Sequence, residues 1–269
     1  MYTLLAVAVA CMVLVPFIAL VLVALGVYRL LPPYFPHPVD FRAFPLVYAV
    51  ASRDNPAWLY AWNSTWYTTL EVVGETASSA VIGYGFARLR APGATVLFVL
   101  SLATVMVPFE ATFLPKVILF SRLGWIDTPL PLIVPTFFGN PLYIFLFRQF
   151  FRTVPQDIEE AATLDGLGYL GTFVRIYVPL SYAAVFTVGV LSFTANWNDV
   201  FDPLIYLNTT SKYPLSYELL NLFGQGPSSY AMAAAALCIV PCLIPCYLFL
   251  RFAGRGLVVQ PPPSPTTLA

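Results

Sequence analysis

No charged residue separates Met1 from Arg29, and a run of that kind sharply limits what this chain can fold into. Crossing a bilayer as a helix takes about 20 apolar residues, and the stretch from Thr3 to Tyr28 has that length. It lacks a basic leader and far exceeds the ~7–15-residue apolar core of a secretory signal, so it is read as a membrane span. Cys11 after Ala8-Val9-Ala10 is not read as a lipoprotein site for the same reason. The rest of the 269 residues follow suit: 59% are hydrophobic and 10% charged, where soluble domains carry roughly 25% charged residues. In water such a chain exposes large apolar patches; a bilayer is its natural solvent. With 13 basic and 13 acidic residues the net charge is zero, which removes the electrostatic basis for nucleic-acid binding.

Six apolar segments can be drawn, at 4–28, 66–86, 94–120, 130–147, 180–207 and 230–250, each long enough to span. The expected fold is therefore an all-α membrane protein with six transmembrane helices in one domain, 1–256, followed by a proline-rich tail, 257–269. The connection 29–64 is rich in Pro, Tyr and Trp and is read as a small folded cap outside the membrane. Trp58, Trp62, Trp66 and Tyr67 suit an interfacial belt. Pro108 and Pro115 interrupt the third segment, and Pro241 and Pro245 the sixth. With the N-terminus inside, Arg88, Arg90, Arg148, Arg152, Arg175, Arg251 and Arg255 are cytoplasmic, and Arg29, Arg42, Arg53, Lys116, Arg122 and Lys212 are outside. The inside charges sit in short loops or near span ends, where positive charge sets orientation.

One connection stands apart. Residues 149–179 form a charged loop between the fourth and fifth segments. Pro155 is read as the first residue of a helix, Asp157, Glu159 and Glu160 favour its first turns, and Ala161 and Ala162 propagate it. Gly166 and Gly168 can end it, leaving a helix of about 11 residues, ~16 Å long. A second short helix, 170–177, leads to Pro179 at the entry to the fifth segment. An ordinary amphipathic connector on the membrane surface would carry mostly basic residues on its polar face. Here Asp157, Glu159, Glu160 and Asp165 outnumber Arg175, so anionic lipid is a poor partner.

Glu160-Ala161-Ala162, Asp165-Gly166, Ile176 and Pro179 match, in residue and spacing, the EAA signature of the membrane subunits of binding-protein-dependent ABC importers. Val178 stands where leucine is usual. The chain resembles the sugar-type, maltose-system-like permeases over about residues 63–256. The resemblance also rests on Asn63-Ser64, Tyr84-Gly85-Phe86-Ala87-Arg88, Met106-Val107-Pro108 and Leu123-Gly124-Trp125-Ile126-Asp127-Thr128. Phe145 to Phe151 and Trp197-Asn198-Asp199 with Pro203-Leu204 extend it. The first 62 residues match in layout, not in motif, and the proline-rich ending departs from the family's pattern.

The resemblance implies a type I importer permease fold, with Glu160, Ala161, Ala162, Asp165, Gly166, Ile176 and Pro179 in the ATPase-coupling loop. It implies a second, homologous permease subunit, two ATPase subunits and an extracytoplasmic substrate-binding protein as partners, in the cytoplasmic membrane of a bacterium or archaeon. This chain would transport without covalent catalysis. Its two lysines, Lys116 and Lys212, end no Gly-x-x-x-x-Gly-Lys loop, so the phosphate cradle of a Walker-type ATPase is missing. No cofactor is expected in this chain; ATP and Mg belong to the partner ATPases.

Ionisable and amide groups within the segments mark the expected pathway. Glu110, Asn196, Trp197, Asn198 and Asp199 are the candidates, with amides and carboxylates for a solute's hydroxyls and Trp197 for stacking on a sugar face. Interhelical hydrogen bonding is an equal reading for 196–199. It is the favoured one for Glu71 and Glu75, which lie four apart on one helix face. His37 reads as a surface residue, and Cys238, Cys242 and Cys246 as packing residues on one helix face, since no His or carboxylate accompanies them to complete a metal shell. Three rivals remain: a permease for another solute such as a polyol phosphate, polyamine or amino acid; a multi-pass membrane enzyme using Glu71, Glu75 and Asp199; and an autonomous channel or secondary carrier.

Overall fold

The computed structural model describes residues 17, 18, 20–25, 55–225, 232, 233, 235, 236, 238–244, 247 and 251. Most of the first apolar segment, the connection up to residue 54, parts of the sixth segment and the tail 257–269 lie outside the described residues, as do Cys11, His37 and Cys246.

Among the described residues every regular element is helical. Helix α1, Ala57–Arg88, has 32 residues, about 48 Å of rise. It begins inside the stretch read from sequence as outer connection, because nothing between Pro56 and Leu89 breaks a helix. Its outer turns carry Trp58 and Trp62, each about three-fifths exposed and four residues apart, so both indoles share one outward face.

The third apolar segment is not one rod. Helix α2, Ala94–Ala103, runs through a 3-10 turn, Thr104–Met106, and α3, Phe109–Arg122, leaves at 99°. Pro108 forces the residue before it out of the helical region, and Val107 accordingly sits at φ −74°, ψ 120°. After a loop come α4 (Leu130–Ile133), a 3-10 turn (Val134–Phe138) and α5 (Pro141–Thr153). Asn140 caps α5 by accepting from the Leu142 N–H, with Pro141 at the first position, where a missing N–H costs nothing.

The charged loop holds α6 (Gln156–Leu164) and α7 (Tyr169–Thr172). The latter passes through a π-helical turn, Phe173–Tyr177, into α8 (Val178–Leu180). Helix α9 (Tyr182–Trp197) departs at 78° from the run Tyr169–Leu180. A break at Asn198-Asp199 precedes α10 (Phe201–Tyr206), and α11 (Leu215–Gln225) follows. Among the described residues, the run Leu130–Thr153 is long and apolar enough to cross a membrane alone. The bent pairs Ala94–Met106 with Phe109–Arg122, and Tyr169–Leu180 with Tyr182–Trp197, meet the same length and apolarity together.

Helix α1 is the column against which α5, α9 and the 134–138 turn pack. Gly83 makes its contact with α5 close: a Cβ there would stand 2.7 Å from the Phe147 Cβ and 3.1 Å from the Ile144 carbonyl oxygen. Small residues allow such approach between membrane helices, where packing rather than the hydrophobic effect drives association. Below this point lies an aromatic knot of Tyr84, Phe147, Phe151 and Tyr177, with Phe147, Phe151 and Tyr177 fully buried. Ring centroids stand 4.9 Å apart for Tyr84–Tyr177, and 5.7 Å for the stacked Phe147–Phe151 pair. At the other end, Asn63 donates to the Ser211 and Tyr213 carbonyls at 2.8 and 3.0 Å, and Ser64 accepts from the Leu215 N–H at 2.7 Å. The Asn63-Ser64 pair thus fastens the chain's 211–215 return to the outer part of α1.

Candidate functional site

Three places concentrate polar groups: the charged loop at one end of α1, a cavity along its other half, and a cluster around Asp127.

In the loop, Pro155 sits just before the helix rather than inside it, with ψ 142°, and α6 is nine residues long. Asp157 and Glu159 occupy its first turn, where unpaired N–H groups and the helix dipole favour negative charge. Its end is a Schellman closure. The Gly166 N–H donates to the Thr163 carbonyl and the Leu167 N–H to the Ala162 carbonyl, both at 3.0 Å. Gly166 takes φ +80°, and a Cβ there would meet nothing within 4 Å. The position requires the left-handed backbone, not the space, and any L side chain pays ~1–2 kcal/mol for that conformation.

Of the loop residues named from sequence, Ala162 is buried against the chain, Ile176 is half-buried in the π turn, and Glu160, Ala161, Asp165, Gly166 and Pro179 are exposed. Glu160 accepts from Gln156 Nε2 at 3.2 Å. Around them Leu164, Leu170 and Tyr169 are 89, 74 and 69% exposed. An apolar face this open on a charged loop is a surface built to meet something.

Arg88, the last residue of α1, fixes the loop from behind. Its Nη2 donates to the Phe151 carbonyl at 2.6 Å and to the Val154 carbonyl, closing the end of α5. Its Nη1 stands 3.7 Å from Glu159 Oε2, and its guanidinium carbon lies 5.3 Å from the centre of the Tyr177 ring. Tyr177 donates to the same Glu159 oxygen at 3.3 Å, and Tyr84 to the Tyr169 carbonyl at 3.4 Å. One guanidinium thereby joins α1, the end of α5, α6 and the π turn. From sequence, Arg88 was a cytoplasmic charge and the end of the Tyr84–Arg88 motif, with no partner assigned to it.

The second place is a cavity of about 220 Å³ between α1, α3, the 131–141 segment and α9–α10. Glu71, Glu75, Asp199 and Asp202 line it, together with Asn140 and Asn196, and Lys116 is on the same wall. Glu75 is fully engaged. Asn140 donates to its Oε1 at 2.8 Å, and Ser192 and Asn196 donate to its Oε2 at 2.6 and 3.3 Å. It welds α1 to α5 and α9, which is the interhelical role favoured from sequence. Asp199 Oδ1 accepts from the Phe201 and Asp202 N–H groups at 3.0 and 3.4 Å and so starts α10. Glu71 is 5% exposed, and among the described residues no hydrogen-bond donor reaches it.

The structure thus gathers Asn196 and Asp199 on the cavity wall and leaves their sequence companions elsewhere. Glu110 is exposed in the first turn of α3, behind Pro108. Trp197 is buried, stacked 5.4 Å from Phe193, and its indole N–H donates to the Cys238 carbonyl at 3.2 Å. Asn198 is exposed and donates to the Thr194 carbonyl at 2.7 Å. Asp202, Lys116 and Asn140 were not singled out as pathway residues. The three-residue step from Asp199 to Asp202, which sets two helical side chains on one side, was the available signal.

A third polar cluster closes the end away from the charged loop. Asp127, at φ 60°, accepts from the Asn208 and Thr209 N–H groups at 2.9 and 2.8 Å. The Thr209 hydroxyl and Lys212 Nζ reach its other oxygen at 2.6 and 2.8 Å. The Lys212 hydrogen bond, then that of Thr209, holds its carboxyl well below the usual range. Helix α3 ends just before it in a second Schellman closure. The Trp125 N–H reaches the Phe120 carbonyl at 2.9 Å and the Gly124 N–H the Ser121 carbonyl at 3.1 Å.

Known proteins share this architecture. The chain is 31% identical over 231 residues to the osmoprotective compounds uptake permease protein GgtD of Synechocystis, covering 83% of this chain and 77% of the relative. It is 31% identical over 221 residues to the arabinooligosaccharides transport system permease protein AraQ of Bacillus subtilis, covering 78% of each. A crystal structure of a bacterial ABC transporter involved in the import of the acidic polysaccharide alginate contains a chain of the same fold. The TM-score is 0.78 at 22% identity, over 93% of this chain and 94% of that one. Residues 79–258 match the model of the binding-protein-dependent transport system inner membrane components. That span takes in the charged loop and most of the cavity wall, and the chain belongs to this family of membrane permeases.

Proposed function

We propose that this chain is one half of the translocation pathway of an ATP-driven importer of carbohydrates, working in a bacterial or archaeal cytoplasmic membrane. It pairs with a second, homologous permease. Two ATPase subunits hold ATP and Mg, an extracytoplasmic receptor delivers the solute, and this chain performs no covalent chemistry. The functions of these relatives, uptake of arabinooligosaccharides and of osmoprotective compounds, support the solute class.

The observation that carries the coupling role is α6 itself. It is short, stopped by a glycine at φ +80°, anchored from behind by Arg88, and left with Leu164 and Leu170 in the open. A helix held on one side and bare on the other transmits a push without absorbing it. ATP-driven closure of the ATPase pair would displace α6, and Arg88, Tyr84 and Tyr177 would pass that displacement to α1 and α5. Because Glu75 pins α1 to Asn140 and to Ser192, the same shift reaches the cavity wall.

The test is co-expression with the neighbouring permease, ATPase and receptor genes, followed by uptake into proteoliposomes. The expected result is ATP-dependent accumulation of the sugar the receptor binds, lost when the ATPase is omitted. Uptake by this chain alone would mean an autonomous channel or carrier instead.

A further inference from the structure

The cavity holds more acid than the fold needs. Glu75 is satisfied by three donors, and Asp199 caps a helix. Glu71 and Asp202 do neither. Glu71 is 95% buried and faces the cavity with no hydrogen-bond donor among the described residues. Asp202 lines the same space, and none of its side-chain oxygens accepts a hydrogen bond from a described residue. Lys116, itself exposed, is the one cation on the wall among the described residues, and no described carboxylate comes within 4 Å of it. Four carboxyl groups therefore face one ammonium.

Burying an ion without a partner is costly inside a protein and more so at membrane depth. A chain keeps such groups where something arrives to pair with them. A neutral hydroxylated solute can donate hydrogen bonds to Glu71 and Asp202 but brings no charge to offset their ionised forms. An anionic solute meets repulsion. A solute carrying a protonated amine beside its hydroxyls supplies both the donors and the missing charge, in the charge-assisted geometry that is stronger than a neutral hydrogen bond.

We propose that Glu71 and Asp202 form a cation-accepting subsite, so that the pathway favours amine-bearing hydroxylated solutes and disfavours uronates and sugar phosphates. The proposal rests on reading the chain as a solute permease, and it narrows the solute by charge. Lys116, at the exposed side of the wall, offsets one of the four acids, so the subsite keeps room for added positive charge.

The test uses the assembled permease–ATPase complex in nanodiscs, without the receptor, so that receptor preference does not enter. Equilibrium binding of glucosamine, glucose and glucuronate is measured by calorimetry on the wild type, Glu71→Gln and Asp202→Asn. Glucosamine should bind at least about tenfold tighter than glucose, the size expected when an ammonium pairs with a buried carboxylate. Glucuronate should bind weakest. Each variant should shrink the glucosamine preference to within about threefold. Co-elution with the ATPase subunits shows that a variant is assembled, and the near-isosteric Asp202→Asn at the less buried position serves if Glu71→Gln fails to assemble. Equal binding of glucosamine and glucose, no glucosamine binding, or a preference untouched by both substitutions overturns the proposal. Receptor-driven sugar uptake in the same preparation would leave the carbohydrate-importer reading standing in that event. Its absence would count against that reading separately.

Discussion

The same backbone device closes two helices of this chain, and its surroundings differ at the two ends. At Gly124 the residue after the glycine, Trp125, stacks on Phe120 with ring centroids 5.5 Å apart. Asp127 then locks the strand of chain beyond it to Asn208, Thr209 and Lys212. At Gly166 the hydrogen bonds are equivalent, yet Leu164 is 89% exposed, and among the described residues no side chain of the turn bonds to a distant segment as Asp127 does. One stop is completed by its own chain. The other is finished to the same local standard and then left bare, which is what a surface awaiting a partner looks like. Local geometry alone does not separate a structural turn from a mechanical one; the neighbours do.

The largest effect should come from valine at the two glycines. Gly166→Val and Gly124→Val face the same left-handed penalty, ~1–2 kcal/mol, and both should lower the melting temperature similarly. Only Gly166→Val should cut ATP-dependent uptake by more than about tenfold while ATP hydrolysis continues. Equal loss of uptake in both would erase the distinction between the two ends.

Next comes Arg88→Ala. It removes the guanidinium donor from the Phe151 and Val154 carbonyls, the former keeping the Val154 N–H, and hydrogen bonds to a charged group are worth ~1.5–3 kcal/mol each. A clear drop in thermal stability and weaker retention of the ATPase are expected. Arg88→Lys should restore only part of it, since one ammonium cannot reproduce the fork.

Asp127→Asn probes the closed end. The Lys212 pair is partly exposed, at 40 and 29% of the two side chains, so water screens it and the loss should be about 1 kcal/mol. The sign with pH follows from a folded-state carboxyl held below its ordinary range. Its stabilisation is present above about pH 4, where the unfolded carboxylate is ionised, and fades as the pH falls below that. A melting curve series from pH 7 to 3 should show a slope in the wild type that Asp127→Asn lacks in part; an identical slope would remove Asp127 from the account. Smallest in stability is Leu164→Ser. At this exposure the melting temperature should stay within the ~0.5 kcal/mol scatter of surface changes, while ATPase affinity in a pull-down weakens. A stable variant with unaltered affinity would show that Leu164 is not part of the docking face.

What the sequence made legible was local or periodic. The apolar runs announced a membrane protein, and the Ala-rich helix with its glycine stop was readable at 156–166 because capping is decided within a few residues. What it hid depends on direction around a helix axis. Hydropathy places Glu110, Trp197 and Glu71 at some depth and says nothing about which way each faces. In the fold Trp197 points at Cys238, Glu110 is exposed, and Glu71, read as an interhelical hydrogen-bonding residue, faces the cavity. The bend of 99° at Pro108 was marked by a proline, yet the segment 94–120 was drawn as one span, since a proline signals a broken hydrogen bond and not the angle that follows. Asn140 and Glu75 are 65 residues apart in sequence, and no short-range pattern links them.

Gly83 gives the mechanism its fulcrum. Arg88 lies five residues to one side of it on α1 and Glu75 eight to the other. Where two helices touch backbone to backbone there is no cushion of side chains to compress, so neither can roll on the other. A nudge at the arginine end must then appear at the glutamate end as tilt of the α1–α5 pair about that point. With arms of about 8 and 12 Å at 1.5 Å per residue, the proposed coupling would deliver at the glutamate end a stroke about one and a half times that at the arginine end.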